Sequence, residues 1–209
     1  MTNLLFALHP ILSSPLVYSA FNYLIERRSG IRKLIEYLGL SDNDDILDIG
    51  CGTATIVAKF DKDVNYTGID ASKPYIGYAQ KRFGNQGQFL NLTVEELAET
   101  GDQKFDKIMA IGLLHHLSKD EAMKLLRFSK SVMKPNARFV SLDCCYVDNQ
   151  SKVSKFIIDH DRGIFVRTLN EYQAMLGHAF ETVKVTHHTD LLRIPYDHAI
   201  GICSVPQQS

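Results

Sequence analysis

The chain has 209 residues, with 23 Lys+Arg against 24 Asp+Glu and a formal net charge of −1. That length suits one domain with a substantial core, and the balanced charge excludes a global basic field that would draw in nucleic acid or an anionic membrane. The four cysteines, Cys51, Cys144, Cys145 and Cys203, form no Cys-x-x-Cys pair and no metal-type grouping with histidine, which fits a reduced, cytoplasmic protein.

In chain order, residues 4–25 are apolar but broken by Pro10 and Pro15, with no basic run ahead of them, so neither a signal peptide nor a membrane span is expected. Val17, Phe21, Leu24 and Ile25 at helical spacing predict a helix over 15–28, and the same pattern over 31–38, stopped by Gly39, predicts a second. Strand-like and helical runs then alternate. Strands are expected at 46–49, 66–69, 89–90, 108–111 and 138–142. Helices are expected from about Thr53, over 74–83 and over 119–133, with only a short turn near Glu95. This alternation predicts an α/β fold with a mostly parallel sheet covered on both faces.

After Leu142 the pattern changes. A polar stretch at 148–155 leads into a helix ending near His160, then Asp161-Arg162-Gly163, a helix over 169–176, and strands at 182–186 and 199–204 that read as an antiparallel edge pair.

The most informative segment is Ile46-Leu47-Asp48-Ile49-Gly50-Cys51-Gly52-Thr53. Two glycines directly after a strand let backbone approach a ligand closely, and Asp48 places an acceptor beside that opening. The next strand ends in Asp70, whose two carboxylate oxygens can accept both hydroxyls of a ribose. A dinucleotide fingerprint would want glycine at position 55, which is Thr, and Asp48 would repel a pyrophosphate while suiting an ammonium near a sulfonium. S-adenosylmethionine fits this combination better than a nicotinamide dinucleotide.

With Phe105-Asp106-Lys107-Ile108 running into Leu114-His115-His116-Leu117, the chain resembles the class I S-adenosylmethionine-dependent methyltransferases over roughly residues 30 to 142. The resemblance implies a Rossmann-like, doubly wound sheet with N-terminal helices, and S-adenosylmethionine as cofactor with S-adenosylhomocysteine as product. It places Asp48, Gly50, Cys51 and Gly52 around the methionine moiety, Asp70 and Ala71 at the ribose, and Thr93 and Val94 near adenine. Leu113 and Leu114, following Gly112, then lie along the cofactor pocket, and Tyr18 of the leading helix is a further candidate to cover it. Ala54 stands where a third glycine is usual. Thr93 stands where an aspartate is usual, leaving Asn91 or a backbone carbonyl to take over the adenine amino group.

Catalytic candidates are His160, His116 and Asp143, each able to take a proton from an acceptor. His115, Tyr146, Arg162 and Arg167 are the candidate substrate-binding residues, an arginine being suited to a carboxylate or phosphate. His187 and His188 with Asp190 resemble a metal grouping, but neighbouring strand residues point to opposite faces, so no metal is expected. The organisation expected is a single methyltransferase domain over 1–209, with a helical cap (1–40), a cofactor-binding core (41–142), and a substrate segment with closing strands (143–209). The expected reaction is O- or N-methylation of a small molecule by direct in-line displacement, with neither nucleic acid nor membrane as partner and with the chain as monomer or homodimer. An RNA or protein methyltransferase and a non-catalytic S-adenosylmethionine-binding protein are the alternatives.

Overall fold

The computed structural model describes residues 15, 16, 24–161 and 163–205. Five strands run parallel: β1 (Asp45–Ile49), β2 (Asn65–Ile69), β3 (Gln88–Leu90), β4 (Phe105–Ile111) and β5 (Met133–Tyr146). The helices around them are α1 (Arg28–Leu38), α2 (Lys73–Phe83), α3 (Val94–Glu99) and α4 (Lys119–Ser131). Beyond β5 come α5 (Lys152–Asp159), the two-residue β6 (Arg167–Thr168), α6 (Leu169–Gly177), β7 (Thr182–His188) and β8 (His198–Ser204).

The sheet order is β3-β2-β1-β4-β5-β8-β7, with β6 added beside the end of β5. β8 lies antiparallel to both β5 and β7, so the expected closing pair is present and sits inside the doubly wound sheet's growing edge. Two apolar layers cover the sheet. On one face Leu34 and Leu38 of α1 and Ile76, Ala79 and Phe83 of α2 pack on Ile46, Met109 and Val140. On the other, Leu125 and Leu126 of α4 and Tyr172 and Leu176 of α6 pack on Leu47, Ile108 and Phe139. Strand order reverses between β1 and β4, which places a crevice at their carboxyl ends.

Three elements depart from the expected pattern. The helix expected from Thr53 is a single 3₁₀ turn, Thr55–Lys59. Ala54 before it is left-handed (φ 51°), and the β-branched Thr55, Ile56 and Val57 are weak helix formers. β5 begins five residues earlier than Arg138, because a register shift against β4 and a left-handed Asn136 (φ 62°) carry the strand through Pro135-Asn136. Near Glu95 stands a full short helix, α3, capped by Thr93. Of the first expected helix, residues 15, 16, 24, 25 and 28 are helical, the last opening α1. Residues 17–23, Tyr18 among them, lie outside the described residues, as does Arg162. Residues 25–27 then lie along 191–193, through the Glu26–Leu192 bridge and the Arg27 and Arg193 amide bonds.

Candidate functional site

β1 delivers Asp48 to the crevice, and the following loop is held open by left-handed backbone at Gly50 (φ 72°) and Gly52 (φ 54°). The left-handed backbone favours glycine at position 50, and a side chain there would also press on the δ-methyl groups of Leu113. The N–H groups of Gly50 and Cys51 both donate to the Ile69 carbonyl, at 2.8 and 3.0 Å. Asp70 ties the neighbouring turns together: Oδ2 accepts the Gly52 N–H at 2.9 Å and Oδ1 the Ser72 N–H at 2.7 Å. Each oxygen keeps a further lone pair, so the loop contacts fix the carboxylate's orientation without using up its capacity for two hydroxyls.

Two cavities meet at Gly50. One, of about 290 Å³, is bordered by Asp70, Ala71, Thr93, Val94 and Leu113. The other, of about 170 Å³, is bordered by Asp48, Cys51, Gly52, Ile111, Leu142 and His198. In the second, Asp48 is buried, and the Tyr66 hydroxyl donates to its Oδ2 at 2.6 Å. Its Oδ1 has no partner. Burial, working against the Tyr66 bond, pushes its pKa up to about 7. A buried carboxylate oxygen without a donor costs about 1 to 3 kcal/mol. Beside a cavity it marks the place of a missing donor, and the ammonium of S-adenosylmethionine fits that requirement. The residues present therefore suit the cofactor: Asp48 for the amino group, the glycine loop for close backbone approach, and Asp70 for the ribose.

Thr93 borders the first cavity, yet its side chain works as a helix cap. Its hydroxyl accepts the Glu96 N–H at 3.2 Å while the Glu96 carboxylate accepts the Thr93 N–H at 2.7 Å. Asn91 donates its amide to the Asp70 carbonyl. Gly112, in the left-handed region, donates its N–H to the Leu142 carbonyl and turns the chain out of β4 toward Leu113.

Beyond β4 the structure joins three residues that the sequence kept far apart. His115 is buried, its Nδ1 lies 2.8 Å from Asp143 Oδ1, and its backbone N–H donates to the same oxygen at 3.1 Å. Its Nε2 lies 3.4 Å from Asp161 Oδ1. Burial opposes a charged imidazole here, but the bonds to the two carboxylates outweigh it and carry the His115 pKa up to about 9. Asp161 also accepts the Gly163 N–H and the Tyr196 hydroxyl. Burial opposes its charge as well, and the bond from His115 holds it well below the usual carboxylate range. A side chain at Gly163 would overlap the His115 ring, which explains glycine after Asp161-Arg162.

The other sequence candidates lie apart from both cavities. His116 is exposed, its ring 4.2 Å from that of His115. His160 ends α5, exposed, with Nδ1 2.7 Å from the Phe156 carbonyl. Tyr146 donates to Asp159. The Arg167 guanidinium donates to the carbonyls of Leu114 and Leu117, at 2.7 and 2.8 Å, and so holds the turn that carries His115. His187 and His188 turn to different partners, Asp197 for the first and Lys33, Tyr37 and Thr186 for the second.

His198 was not among the sequence candidates. It opens β8 one residue before the expected strand, opposite Cys144 in β5, and borders the cavity of Asp48. It is buried, its Nδ1 has no partner, and burial lowers its pKa to about 4, so the ring is neutral. Only the β5–β8 pairing brings it to the site, and no local pattern announces that.

Residues 46–136 match the methyltransferase domain family. The chain is 33% identical over 76 residues to a ubiquinone biosynthesis O-methyltransferase of Dechloromonas aromatica, covering 34% of this chain and 33% of that protein. It is 26% identical over 139 residues to a probable tRNA methyltransferase 9B of Mus musculus, covering 65% of this chain and 30% of that one. The chain thus matches about a third of the length of these relatives. Among solved structures, Haemonchus contortus phosphoethanolamine N-methyltransferase 2 in complex with S-adenosyl-L-methionine superposes with a TM-score of 0.76 at 12% identity, covering 99% of this chain and 61% of that one. Burkholderia thailandensis 1,6-didemethyltoxoflavin-N1-methyltransferase does so with 0.72 at 18% identity, covering 97% and 88%. At these identities the likeness is one of fold.

Proposed function

We propose that this chain, whose residues 46–136 match the methyltransferase domain family, methylates a small molecule at oxygen or nitrogen, with S-adenosylmethionine as donor. The observation that carries the reading is the unpartnered Oδ1 of buried Asp48, in a cavity that meets the Asp70 cavity at Gly50. When bound, the cofactor supplies a methyl group already activated on a sulfonium. The chain's own work is to hold and orient the reactants, exclude water and accept a proton.

Asp48 holds the amino group and Asp70 the ribose, which fixes the cofactor against the glycine loop. Leu142, Ile111 and Leu191 give the second cavity a mostly apolar wall that displaces water and suits an acceptor with an apolar body. The neutral ring of His198, unpartnered at Nδ1, is a group in that wall placed to take the proton an oxygen acceptor gives up, with the carboxylate of Glu26 in the same lining as a second. His115, held as a cation by two carboxylates, is suited to donating a hydrogen bond rather than to removing a proton.

A small acceptor is favoured by the near-zero net charge and the confined cavity, although one relative is named for tRNA and another for ubiquinone biosynthesis. The test is a product assay: purified protein with S-adenosylmethionine and a panel of hydroxylated and amine metabolites, read by mass spectrometry for a gain of one methyl group. Asp70→Ala should weaken S-adenosylmethionine binding by about 1.5 to 3 kcal/mol, as befits a charged acceptor lost from two hydroxyls. Unchanged affinity in calorimetry would remove the ribose assignment. Methylation of RNA alone, with no small-molecule product, would move the reading to the alternative acceptor.

A further inference from the structure

The buried ring of His115 has a second group beside its Nε2. One imidazole nitrogen of His115, the Cys144 thiol sulfur and a carboxylate oxygen of Asp161 all lie within 4.8 Å of one another. Imidazole, thiolate and carboxylate are the donor set of zinc, whose tetrahedral bonds of about 2.0 to 2.3 Å put ligand atoms roughly 3.3 to 3.8 Å apart. A contraction of about 1 Å closes the three around one ion. The 3.4 Å between Nε2 and Asp161 Oδ1 is wide for a charge-assisted hydrogen bond, so the gap already exceeds what the pair alone would choose.

The surroundings have the form of an outer shell. Asp143 takes Nδ1 of the same ring at 2.8 Å and so directs Nε2 toward the thiol and Asp161, the carboxylate–histidine arrangement that tunes metal ligands. Its Oδ2 is buried and unpartnered. Asp161 is itself oriented, with Tyr196 donating to Oδ2 at 2.9 Å and the Gly163 N–H to Oδ1 at 2.8 Å. His115 and Cys144 are both buried, which gives the site dry walls.

We propose that His115 Nε2, Cys144 Sγ and an Asp161 carboxylate oxygen bind one divalent cation of the zinc class, with Asp143 as positioning residue and a fourth position left open. Uptake replaces the proton on Nε2 and the proton on the thiol, both released to solvent, so the total charge of the cluster is unchanged. Cys144 is the cross-strand partner of His198, and side chains directly opposite in an antiparallel pair share a face. The site therefore lies on the same sheet face as His198, which borders the cavity assigned to the acceptor, and an acceptor oxygen reaching its open position would be acidified there. That role rests on the methyl-transfer reading, whereas binding of the ion does not.

The experiment strips the protein with a chelator and titrates it with cobalt(II), then zinc(II), following the absorption spectrum. The expected result is one equivalent of cobalt with strong tetrahedral bands and a thiolate-to-cobalt charge-transfer band, all displaced by zinc. Cys144→Ser should lose the charge-transfer band. Asp161→Asn, at a partly exposed position, and Asp143→Asn should each weaken zinc binding about 10- to 100-fold, and both give a readout if the cysteine variant does not fold. His187→Ala, whose ring pairs with Asp197, should bind as the parent does. No stoichiometric uptake, or a charge-transfer band that survives Cys144→Ser, overturns the site. S-adenosylhomocysteine binding by the same stripped sample reports on the methyltransferase reading separately.

Discussion

In the proposed reading, Asp48 takes a proton and a ligand at the same place. Its pKa in the folded chain is raised to about 7 by burial, so the stability its protonated form contributes is complete below the ordinary carboxylate range and is lost as pH rises through about 7. Cofactor binding has the opposite sign, because an ammonium needs the carboxylate. S-adenosylmethionine affinity should therefore be greatest near pH 7 to 8, where Asp48 is ionised and the ammonium still protonated, and fall toward tenfold per unit below about pH 7, and Asp48→Asn should bind weakly without that acid-side slope, as calorimetry across the range would show. An affinity independent of pH in the parent protein would detach Asp48 from the amino group. The position of Asp48, Gly50 and Asp70 at the crevice was readable in the sequence because each stands at the end of a short apolar run. His198 and the His115–Asp143–Asp161 set were not readable as a group, since pairing across the sheet and the loop after α5 assemble them.

At the level of elements, the turn between β4 and α4 depends on one side chain from far along the chain. Arg167 donates to the carbonyls of Leu114, Leu117 and Phe165, and so works as a brace where the sequence pointed to an anion ligand. Arg167→Met keeps much of the stem and removes the charge-assisted bonds. It should cost about 1.5 to 3 kcal/mol in denaturant unfolding, with the turn carrying His115 becoming the first region to exchange its amides. A loss below about 0.5 kcal/mol would mean that the turn holds itself. Strong periodic elements such as α2 and α4 fell close to their expected bounds. The 3₁₀ turn and the early start of β5 did not, because β-branched residues and a Pro-Asn bulge set local geometry against the simple pattern.

Across the whole molecule, β5 is the shared wall. It pairs with β4 on one side and β8 on the other, and its Phe139, fully buried, stacks on Phe180 with ring centroids 5.3 Å apart. Phe139→Ala should cost about 3 to 5 kcal/mol and unfold both halves in one transition. Two separated transitions would show that the closing strands are an independent unit. No helix among the described residues is long and apolar enough to cross a membrane. The alternation of strands and helices made the layered sheet legible, while insertion of β8 between β5 and β7 is a topological choice that composition does not record.

That insertion also gives the chain an order of assembly. The glycine loop and Asp70 are joined by neighbouring strands and form through contacts short in sequence, whereas Tyr196 and His198 reach their places only when β8 docks on β5 from far downstream. Long-range pairing of this kind is slow to nucleate. During folding, the Asp70 side of the proposed donor site is expected to form before the cavity that Asp48 shares with His198, so a half-folded chain would carry a ribose site with no closed space around the methyl group.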